Sequence, residues 1–174
     1  LAHALEVAIR ANDCATVVGI LREHPALLHI PVRSGNWGQP MSHAPNLGRL
    51  EIVQAVAALG ARDLQHAFDR AVLQGRIECA RWLHAHGAKV APGSVMGACE
   101  TINRDGLRLL VELGAPFTDE HGSRLAPLGM VLETYARSPA AKREVLALFA
   151  AQGYAFPDTP IVAFHRGDVD RLRQ

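Results

Sequence analysis

Three stretches of this sequence share one pattern, and that pattern decides the fold. Residues 40–61 read PMSHAPNLGRLEIVQAVAALGA, residues 67–88 read AFDRAVLQGRIECARWLHAHGA and residues 94–115 read SVMGACETINRDGLRLLVELGA. Each stretch begins 27 residues after the one before it, and a Gly-Ala pair closes all three at the same place. Self-similarity at a fixed period of roughly 20–50 residues indicates a protein built from repeated supersecondary units.

Each stretch contains two helix signals. In the first stretch Ile52, Val56 and Leu59 follow the i, i+4, i+7 spacing of an amphipathic helix. The glycine that follows is a common helix stop, because glycine adopts left-handed backbone without a Cβ clash. The run before the first glycine predicts a shorter helix that begins at Pro40. Its small Ala44 allows neighbouring helices to approach closely.

The same pattern extends, with insertions, towards both ends of the chain. Ala8 and Asn12 hold the alanine and first-glycine places near the N-terminus, and Ile102 holds the first-glycine place of the third stretch. Near the C-terminus, Ser138-Pro139 predicts the start of a helix that ends at Gly153. The sequence therefore predicts an all-α fold of about six helix-pair units, at approximately 1–30, 37–62, 64–89, 91–115, 124–154 and 157–174, the last of them incomplete.

Residues 40–61 resemble an ankyrin repeat, whose pattern is T-P-L-H-x-A-A-x-x-G-H-L-E-V-V followed by L-L-x-x-G-A. Pro40, Ala44 and Gly48 match it, as does the run LEIV at 50–53. The chain departs from it at Pro45, which replaces the second alanine. The segment that starts at Thr159-Pro160 looks similar, but is one residue shorter between its proline and its glycine.

The resemblance covers nearly the whole chain and is that of degenerate, bacterial-type ankyrin repeats. It implies a solenoid of stacked helix pairs with short or irregular connecting fingers, because a short helix pair buries its apolar face only against a neighbour. We expect nearly complete burial of eight core side chains: Leu21, Val53, Val56, Leu83, Leu110, Leu113, Leu146 and Phe149. We also expect close helix contacts at Ala44, Ala71, Ala98 and Ala163, and helix capping or dipole complementation by Asp105 and Asp168.

Composition excludes several classes of function. The formal net charge is +1 and aromatic residues make up 5% of the chain, which disfavours a nucleic-acid partner. No apolar run reaches the length of a membrane span. Phosphate-binding, dinucleotide, nucleophile-elbow and zinc-protease motifs are missing from the sequence. We therefore predict no catalytic residue, no cofactor and no metal site.

The histidines and cysteines have a functional and a structural interpretation. His84 and His86 form an H-x-H pair near a predicted helix end, but residues two apart on a helix do not face each other. We interpret them as solvated or partly packed side chains, because a zinc site needs further ligands. Cys14, Cys79 and Cys99 have no CxxC spacing and indicate reduced thiols, with Cys79 and Cys99 as small buried hydrophobes. This usage predicts a cytoplasmic protein, with secretion as an effector left open.

The resemblance to ankyrin repeats also implies where a partner protein binds. In that family partners contact the residues just before the first glycine and the finger tips. The candidates here are Trp37, Gln39, Asn46, Leu47, Leu73, Gln74, Glu100, Thr101, Phe117, His165 and Arg166, with Arg33, Asn36, Arg62, Lys89 and Asp119 as further finger residues. Trp37 is either an aromatic anchor for the partner or a side chain that folds back over the first core.

The leading hypothesis is a non-enzymatic module that binds a partner protein through a concave surface of helices and loops. The alternative is a targeting or regulatory segment of a larger enzyme or secreted effector. A third, weaker reading is a small metal- or ligand-binding enzyme that uses the histidines. Because the last unit is short and its Ile161, Val162 and Phe164 are apolar, we expect either further chain beyond Gln174 or an oligomer contact at this end.

Overall fold

Helices account for all the regular secondary structure of the residues that the computed structural model describes, which are 1–33, 35, 37–135 and 138–173. Twelve α-helices follow one another in these ranges: α1 (Ala2–Ala11), α2 (Cys14–Glu23), α3 (Pro40–Asn46), α4 (Leu50–Ala58), α5 (Leu64–Leu73), α6 (Ile77–Ala85), α7 (Met96–Glu100), α8 (Arg104–Glu112), α9 (Leu125–Glu133), α10 (Pro139–Ala151), α11 (Pro160–Arg166) and α12 (Val169–Leu172). The predicted all-α fold is thereby confirmed for these residues. None of their helices is both long and apolar enough to cross a bilayer.

The chain forms two compact units, Leu1–Lys89 and Val90–Gln174. The first contains α1 to α6 and the second contains α7 to α12. The division falls at the end of the third predicted helix pair, so that each compact unit comprises three pairs.

The first compact unit has two layers of helices. The odd-numbered helices α1, α3 and α5 pack against one another in chain order, and the even-numbered α2, α4 and α6 do the same. Each odd-numbered helix also packs against the helix that follows it. The helices of a pair thus share one apolar interior, which includes the fully buried Ile9, Ile52, Phe68 and Leu83.

The second compact unit repeats part of this arrangement. Helix α7 packs against α9, and α8 packs against α10. Helix α10 also packs against α11, which in turn contacts α12. The interior is formed by side chains such as Leu107, Leu110, Leu146 and Phe149, all fully buried.

A left-handed turn ends five of the six odd-numbered helices. The turn residues are Asn12 (φ 60°), Gly48 (φ 71°), Gly75 (φ 64°), Ile102 (φ 50°) and Gly167 (φ 73°). In each case the next residue donates its backbone N–H to the carbonyl of a buried alanine five residues earlier, at 2.8–3.0 Å. The pairs are Asp13 with Ala8, Arg49 with Ala44, Arg76 with Ala71, Asn103 with Ala98 and Asp168 with Ala163. This bond satisfies a carbonyl that the helix end leaves free.

The two non-glycine turn residues lie where the repeat pattern had placed them. Asn12 tolerates left-handed backbone because its side chain is short and polar. Ile102 is β-branched, and a positive φ is strongly disfavoured for such a residue. Its side chain is buried, 8% exposed, so apolar burial offsets the backbone strain.

Helices α4, α6, α8 and α10 end in the same way. The residue after the closing glycine donates to a buried carbonyl at 2.9–3.1 Å, in the pairs Ala61 with Val56, Ala88 with Leu83, Ala115 with Leu110 and Tyr154 with Phe149. Helix α2 ends differently, at His24, where Pro25 begins a 3-10 helix over Pro25–His29. For the segment between α2 and α3, the sequence analysis predicted only that extra residues are inserted. Leu28 and Val32 from it are buried.

The predicted core is correct at seven of its eight positions. Leu113 is the exception, because it is half-buried at the end of α8 rather than enclosed. The four alanines predicted at close helix contacts are all buried. Asp168 caps α12 by accepting the N–H of Arg171 at 3.1 Å, as predicted. Asn103 caps α8 by accepting the Gly106 N–H at 2.9 Å, and Asp105 lies in the first turn of α8, where its charge complements the helix dipole as expected.

Candidate partner-binding surface

The turns of the first compact unit present three of the predicted partner-binding residues. Leu47 and Leu73 are half-buried and Gln74 is exposed. Each precedes a left-handed turn, so its position follows from the helix that ends there. These side chains form a mixed apolar and polar surface beside the ends of α3 and α5.

Asn46 does not belong to that surface, because it is only 4% exposed. Its Nδ2 donates to the Ser42 carbonyl at 3.2 Å, and its Oδ1 accepts from Arg70 Nε at 2.8 Å. Its backbone carbonyl accepts from Arg76 Nε at 3.4 Å. Asn46 therefore links α3 to α5 and to the turn before α6, and the expectation that it is available to a partner is wrong.

Trp37 folds back onto α3. Its ring lies edge-on to the ring of His43, with centroids 5.6 Å apart. The guanidinium of Arg33 lies 4.7 Å from the Trp37 ring centroid and 3.4 Å from a carboxylate oxygen of Glu6. The neighbouring candidate Gln39 is half-buried and its carbonyl accepts the N–H of His43 at 2.8 Å. The observed contacts favour the structural interpretation of Trp37. Asn36 lies outside the described residues.

His43 of α3 is a buried polar residue that the sequence analysis did not single out. The side chain is fully buried and neither ring nitrogen has a hydrogen-bond partner among the described residues. Burial lowers the pKa of His43; the cations Arg10, Arg33 and Arg70 add to this effect, and Glu6 opposes it. Burial beside Trp37 therefore favours the neutral form of the imidazole.

The finger candidates have different surroundings. Arg62 and Lys89 are exposed, and the backbone of Lys89 exchanges two hydrogen bonds with the side chain of Gln65. Phe117 is 5% exposed, stacks edge-on against Phe149 and accepts a hydrogen bond from the Tyr154 hydroxyl at its carbonyl. Its predicted availability to a partner is therefore wrong.

Asp119 shapes its own loop. Its carboxylate accepts the backbone N–H groups of His121 and Ser123 at 3.0 and 2.7 Å. Such a bond between an aspartate and the amide two residues later stabilises a turn. Both hydrogen bonds lie within the loop, so they account for the orientation of the Asp119 side chain without any contact to a partner protein.

The second compact unit presents the remaining candidates. Glu100 and Thr101 are exposed at the end of α7, and the Thr101 hydroxyl donates to the Gly97 carbonyl at 3.1 Å. Arg166 is exposed with its guanidinium 4.6 Å from the Phe156 ring centroid. His165 is half-buried. Burial, followed by the positive charge of Lys142, lowers the pKa of His165.

A groove runs along the side of the second compact unit that carries Glu100 and Thr101. It consists of three adjoining depressions of about 480, 470 and 380 Å³. The first two meet at Thr134, and the last two share Thr101, Ile102, Ser138 and Ala141. Sequence reasoning did not find this groove, because its walls come from α7, α8, α9 and α10, several of which are distant from one another along the chain.

The histidine pair at the end of α6 makes local contacts. His84 Nδ1 lies 2.9 Å from the Ala88 carbonyl oxygen, and His86 Nδ1 lies 2.7 Å from that of Trp82. The His86 ring stacks on Trp82 at a centroid distance of 3.8 Å. Within the described residues no three metal-ligating side chains come together.

The three cysteines are free thiols. Burial raises the pKa of Cys79 to about 11 and that of Cys99 to about 12. Cys14 is half-buried, and burial followed by the negative charges of Glu51 and Asp13 raises its pKa. Neutral thiols of this kind behave as small apolar side chains.

No protein-family model matches this sequence, and no curated protein is significantly similar to it.

Proposed function

We propose that this chain is a non-catalytic interaction module, built from ankyrin-type helix pairs, that binds a partner protein through its odd-numbered helices and the turns that follow them. The proposal rests on one observation, the left-handed turn that recurs at Asn12, Gly48, Gly75, Ile102 and Gly167. Each turn buries an alanine and places the residue just before the turn at the edge of a helix layer.

The residues at these edges differ chemically from one another. Leu47, Gln74, Thr101 and Arg166 occupy the same place before successive turns, and the last three are exposed. A repeated backbone with variable exposed side chains is the arrangement by which repeat proteins recognise partners.

The test compares two double variants of the full chain. Leu73→Ala with Gln74→Ala alters the surface before one turn, whereas Gln54→Ala with Glu78→Ala alters exposed residues of the even-numbered helices α4 and α6. A partner is first isolated from the native cell with the unmodified chain, then purified and titrated against each variant. We expect the first variant to lose about tenfold or more in affinity and the second to bind as the unmodified chain does. Equal affinities for both variants would contradict the proposed surface.

A further inference from the structure

His43 belongs to a helix that is enclosed on all its length. Helix α3 packs against α1, α4, α5 and the 3-10 helix over Pro25–His29, and all seven of its residues are buried. Among the described residues, neither ring nitrogen of His43 has a hydrogen-bond partner. A neutral imidazole has one N–H donor and an imidazolium has two, so protonation adds both an unpaired donor and a charge to this site. Protonation of His43 is therefore favourable only where water reaches the ring.

The charges that surround His43 also oppose a positive ring. Four charged side chains act on it electrostatically, namely Glu6 and Arg10 of α1, Arg33 of the connection between α2 and α3, and Arg70 of α5. Glu6 is the only carboxylate of these four, and one of its oxygens lies 3.3 Å from Arg10 Nε and 3.4 Å from Arg33 Nη1. Because two guanidinium groups already share this carboxylate, it does not balance a charge on His43.

Other titratable groups of the elements that pack against α3 have partners of their own or lie at element ends. Asp63, just before α5, accepts a hydrogen bond from the Ser42 hydroxyl and lies 3.5 Å from His66 Nδ1. Asp69 of α5 accepts from Gln65 Nε2 at 3.1 Å. The remaining ones are His3 of α1, His24 and His29 at the ends of the 3-10 helix, and Arg49 and Glu51 at the start of α4.

The Trp37 side chain is the part of the enclosure that no helix carries. Its ring lies 5.6 Å from that of His43, and the Arg33 guanidinium lies 4.7 Å from the Trp37 ring centroid. The next residue, Gly38, is fixed more firmly. Its carbonyl accepts the Val32 N–H at 3.1 Å, and a Cβ atom on it would lie only 2.6 Å from the Ser42 Cβ. Trp37 can therefore leave His43 by rotation of its own side chain, while the backbone beside it stays packed on α3.

We propose that Trp37 and His43 form an acid-sensitive switch, in which a proton from solvent binds the free ring nitrogen of His43 and the Trp37 side chain moves off α3. Water then reaches both N–H groups of the imidazolium. Cation–π attraction does not hold the charged ring against Trp37, because Arg33 already lies over that ring and repels a second cation.

The switch would also change the surface of an odd-numbered helix. Trp37 covers α3, so its release opens this helix to a partner protein. That consequence rests on the proposed function, whereas the movement of Trp37 does not.

The test follows the Trp37 ring by fluorescence in the full chain. The chain has two tryptophans, so Trp82→Phe leaves Trp37 as the only one. Between about pH 8 and pH 5, the range in which a histidine changes its charge, the emission maximum should move to longer wavelength. Acrylamide should also quench the emission more strongly at the acid end. Far-UV circular dichroism should stay constant, which distinguishes release of one side chain from unfolding.

Two histidine variants in the Trp82→Phe chain assign the change. His43→Leu removes the ring that takes up the proton and should abolish the shift, and its emission at pH 8 reports whether Trp37 is still covered. His66→Leu is the matched control, because His66 is half-buried on the neighbouring α5. This variant should retain the shift.

Two arginine variants separate charge from packing. Arg70 and Arg76 both donate to Asn46, at 2.8 and 3.4 Å, but of the two only Arg70 acts on His43 through its charge. Arg70→Gln removes a cation that opposes protonation, so the midpoint of the fluorescence change should move to higher pH. Arg76→Gln removes a comparable hydrogen bond and should leave the midpoint unchanged.

Three results would overturn the inference. They are constant emission from pH 8 to pH 5, a shift that persists in His43→Leu, and a shift that coincides with loss of the helix signal. If Trp37 stays in place in acid but the isolated partner still loses affinity for the Leu73→Ala, Gln74→Ala chain, this inference fails and the proposed function stands. If the fluorescence changes as expected but the partner binds both double variants equally, the proposed function fails and the switch stands.

Discussion

The backbone N–H of Arg76 donates a hydrogen bond of 2.8 Å to the carbonyl of Ala71, across the left-handed turn at Gly75. The same bond joins Asn103 to Ala98, 27 residues further along the chain, at the same length. This bond holds the end of an odd-numbered helix against the start of the even-numbered helix that follows it. The repeat in the sequence is therefore a repeat of this turn and of the small buried residue on which it closes.

Ala71→Leu is expected to lower the free energy of unfolding by about 1–3 kcal/mol. Ala71 is fully buried in α5, which packs against both α3 and α6, so three added carbons force neighbouring side chains apart. Ala85→Leu is the matched control, because Ala85 is exposed in α6. Urea unfolding of both variants measures the difference. If the Ala71→Leu chain were as stable as the control, the assignment of position 71 to a close helix contact in the repeat would be wrong.

Gly114→Ala and Gly129→Ala should shift stability in opposite directions. At both glycines a Cβ meets nothing within 4 Å, but Gly114 has φ of 73° and Gly129 lies inside α9. Alanine at Gly114 must adopt left-handed backbone, at a cost of about 1 kcal/mol. Alanine at Gly129 should stabilise the helix by about 0.5–1 kcal/mol.

Differential scanning calorimetry of the two glycine variants, against the unmodified chain, gives the sign of each change. Steric clashes do not contribute to the difference between the two variants, because an added Cβ meets nothing within 4 Å at either site. A rise in Tm for Gly114→Ala would contradict the left-handed turn at the end of α8.

Acid should destabilise the protein through His43. Burial lowers the pKa of His43 below 6.5, its ordinary value, so the unfolded chain takes up a proton that the folded chain resists. The contribution of neutral His43 to the free energy of unfolding is thus fully present above a pH of about 6.5. It is lost as the pH falls towards the lowered pKa of the folded state. Tm measured between pH 8 and pH 5 should fall less steeply in His43→Leu than in the unmodified chain.

His43→Leu should change stability little at pH 8, because it replaces a buried polar group that lacks partners with an apolar one. His66→Leu is a control on α5, where the side chain is half-buried beside Asp63 at 3.5 Å. Parallel pH profiles for His43→Leu and the unmodified chain would assign the acid sensitivity elsewhere.

The thiols should differ in reactivity when the chain is folded. With pKa values of about 11 and about 12, Cys79 and Cys99 are thiolates at pH 8 only to on the order of one part in 10³ and one part in 10⁴. Cys14 is less buried and is expected to be alkylated first by iodoacetamide, as followed by mass spectrometry of peptides. In urea all three should react at similar rates. Rapid labelling of Cys99 in the native chain would show that its surroundings open readily.

Exposed apolar residues near the C-terminus should promote self-association. Ile161 and Phe164 of α11 are 69% and 63% exposed, and Val169 and Leu172 of α12 are 53% and 45% exposed. Apolar surface gathered in this way favours burial against another molecule. Ile161→Ser with Phe164→Ser should lower the weight-average mass measured by sedimentation equilibrium at high concentration. The same change at the exposed Val7 and Leu125 serves as the control, and a monomer at all concentrations would contradict the expectation.

Local features were predictable from the sequence. The helix starts at Pro40, Pro139 and Pro160 were read correctly, and so were the turns at Asn12 and Ile102. Each depends on the conformational preferences of a few adjacent residues, such as the fixed φ of proline and the hydrogen-bonding of a cap. Repetition strengthened these signals, because the same pattern appeared several times along one chain.

Side-chain surroundings were less predictable. Asn46 and Phe117 were expected at the surface and are buried, because Arg70 and Phe149 reach them from other helices. Leu113 was expected in the core and lies half-buried at its edge. For Asn46 and Phe117, a neighbour distant in sequence decides what covers the side chain.

The sequence by itself determined most of the helices, their pairing along the chain and the turn that closes five of the six odd-numbered helices. Only the tertiary structure decided that Trp37 lies on His43, that Lys142 is drawn inside by the carbonyls at the end of α9, and that Glu100 and Glu133 line adjoining depressions. The physical reason is the range of the forces involved. Backbone sterics and caps act between neighbours in the chain, whereas burial and charge act between residues that meet only after folding.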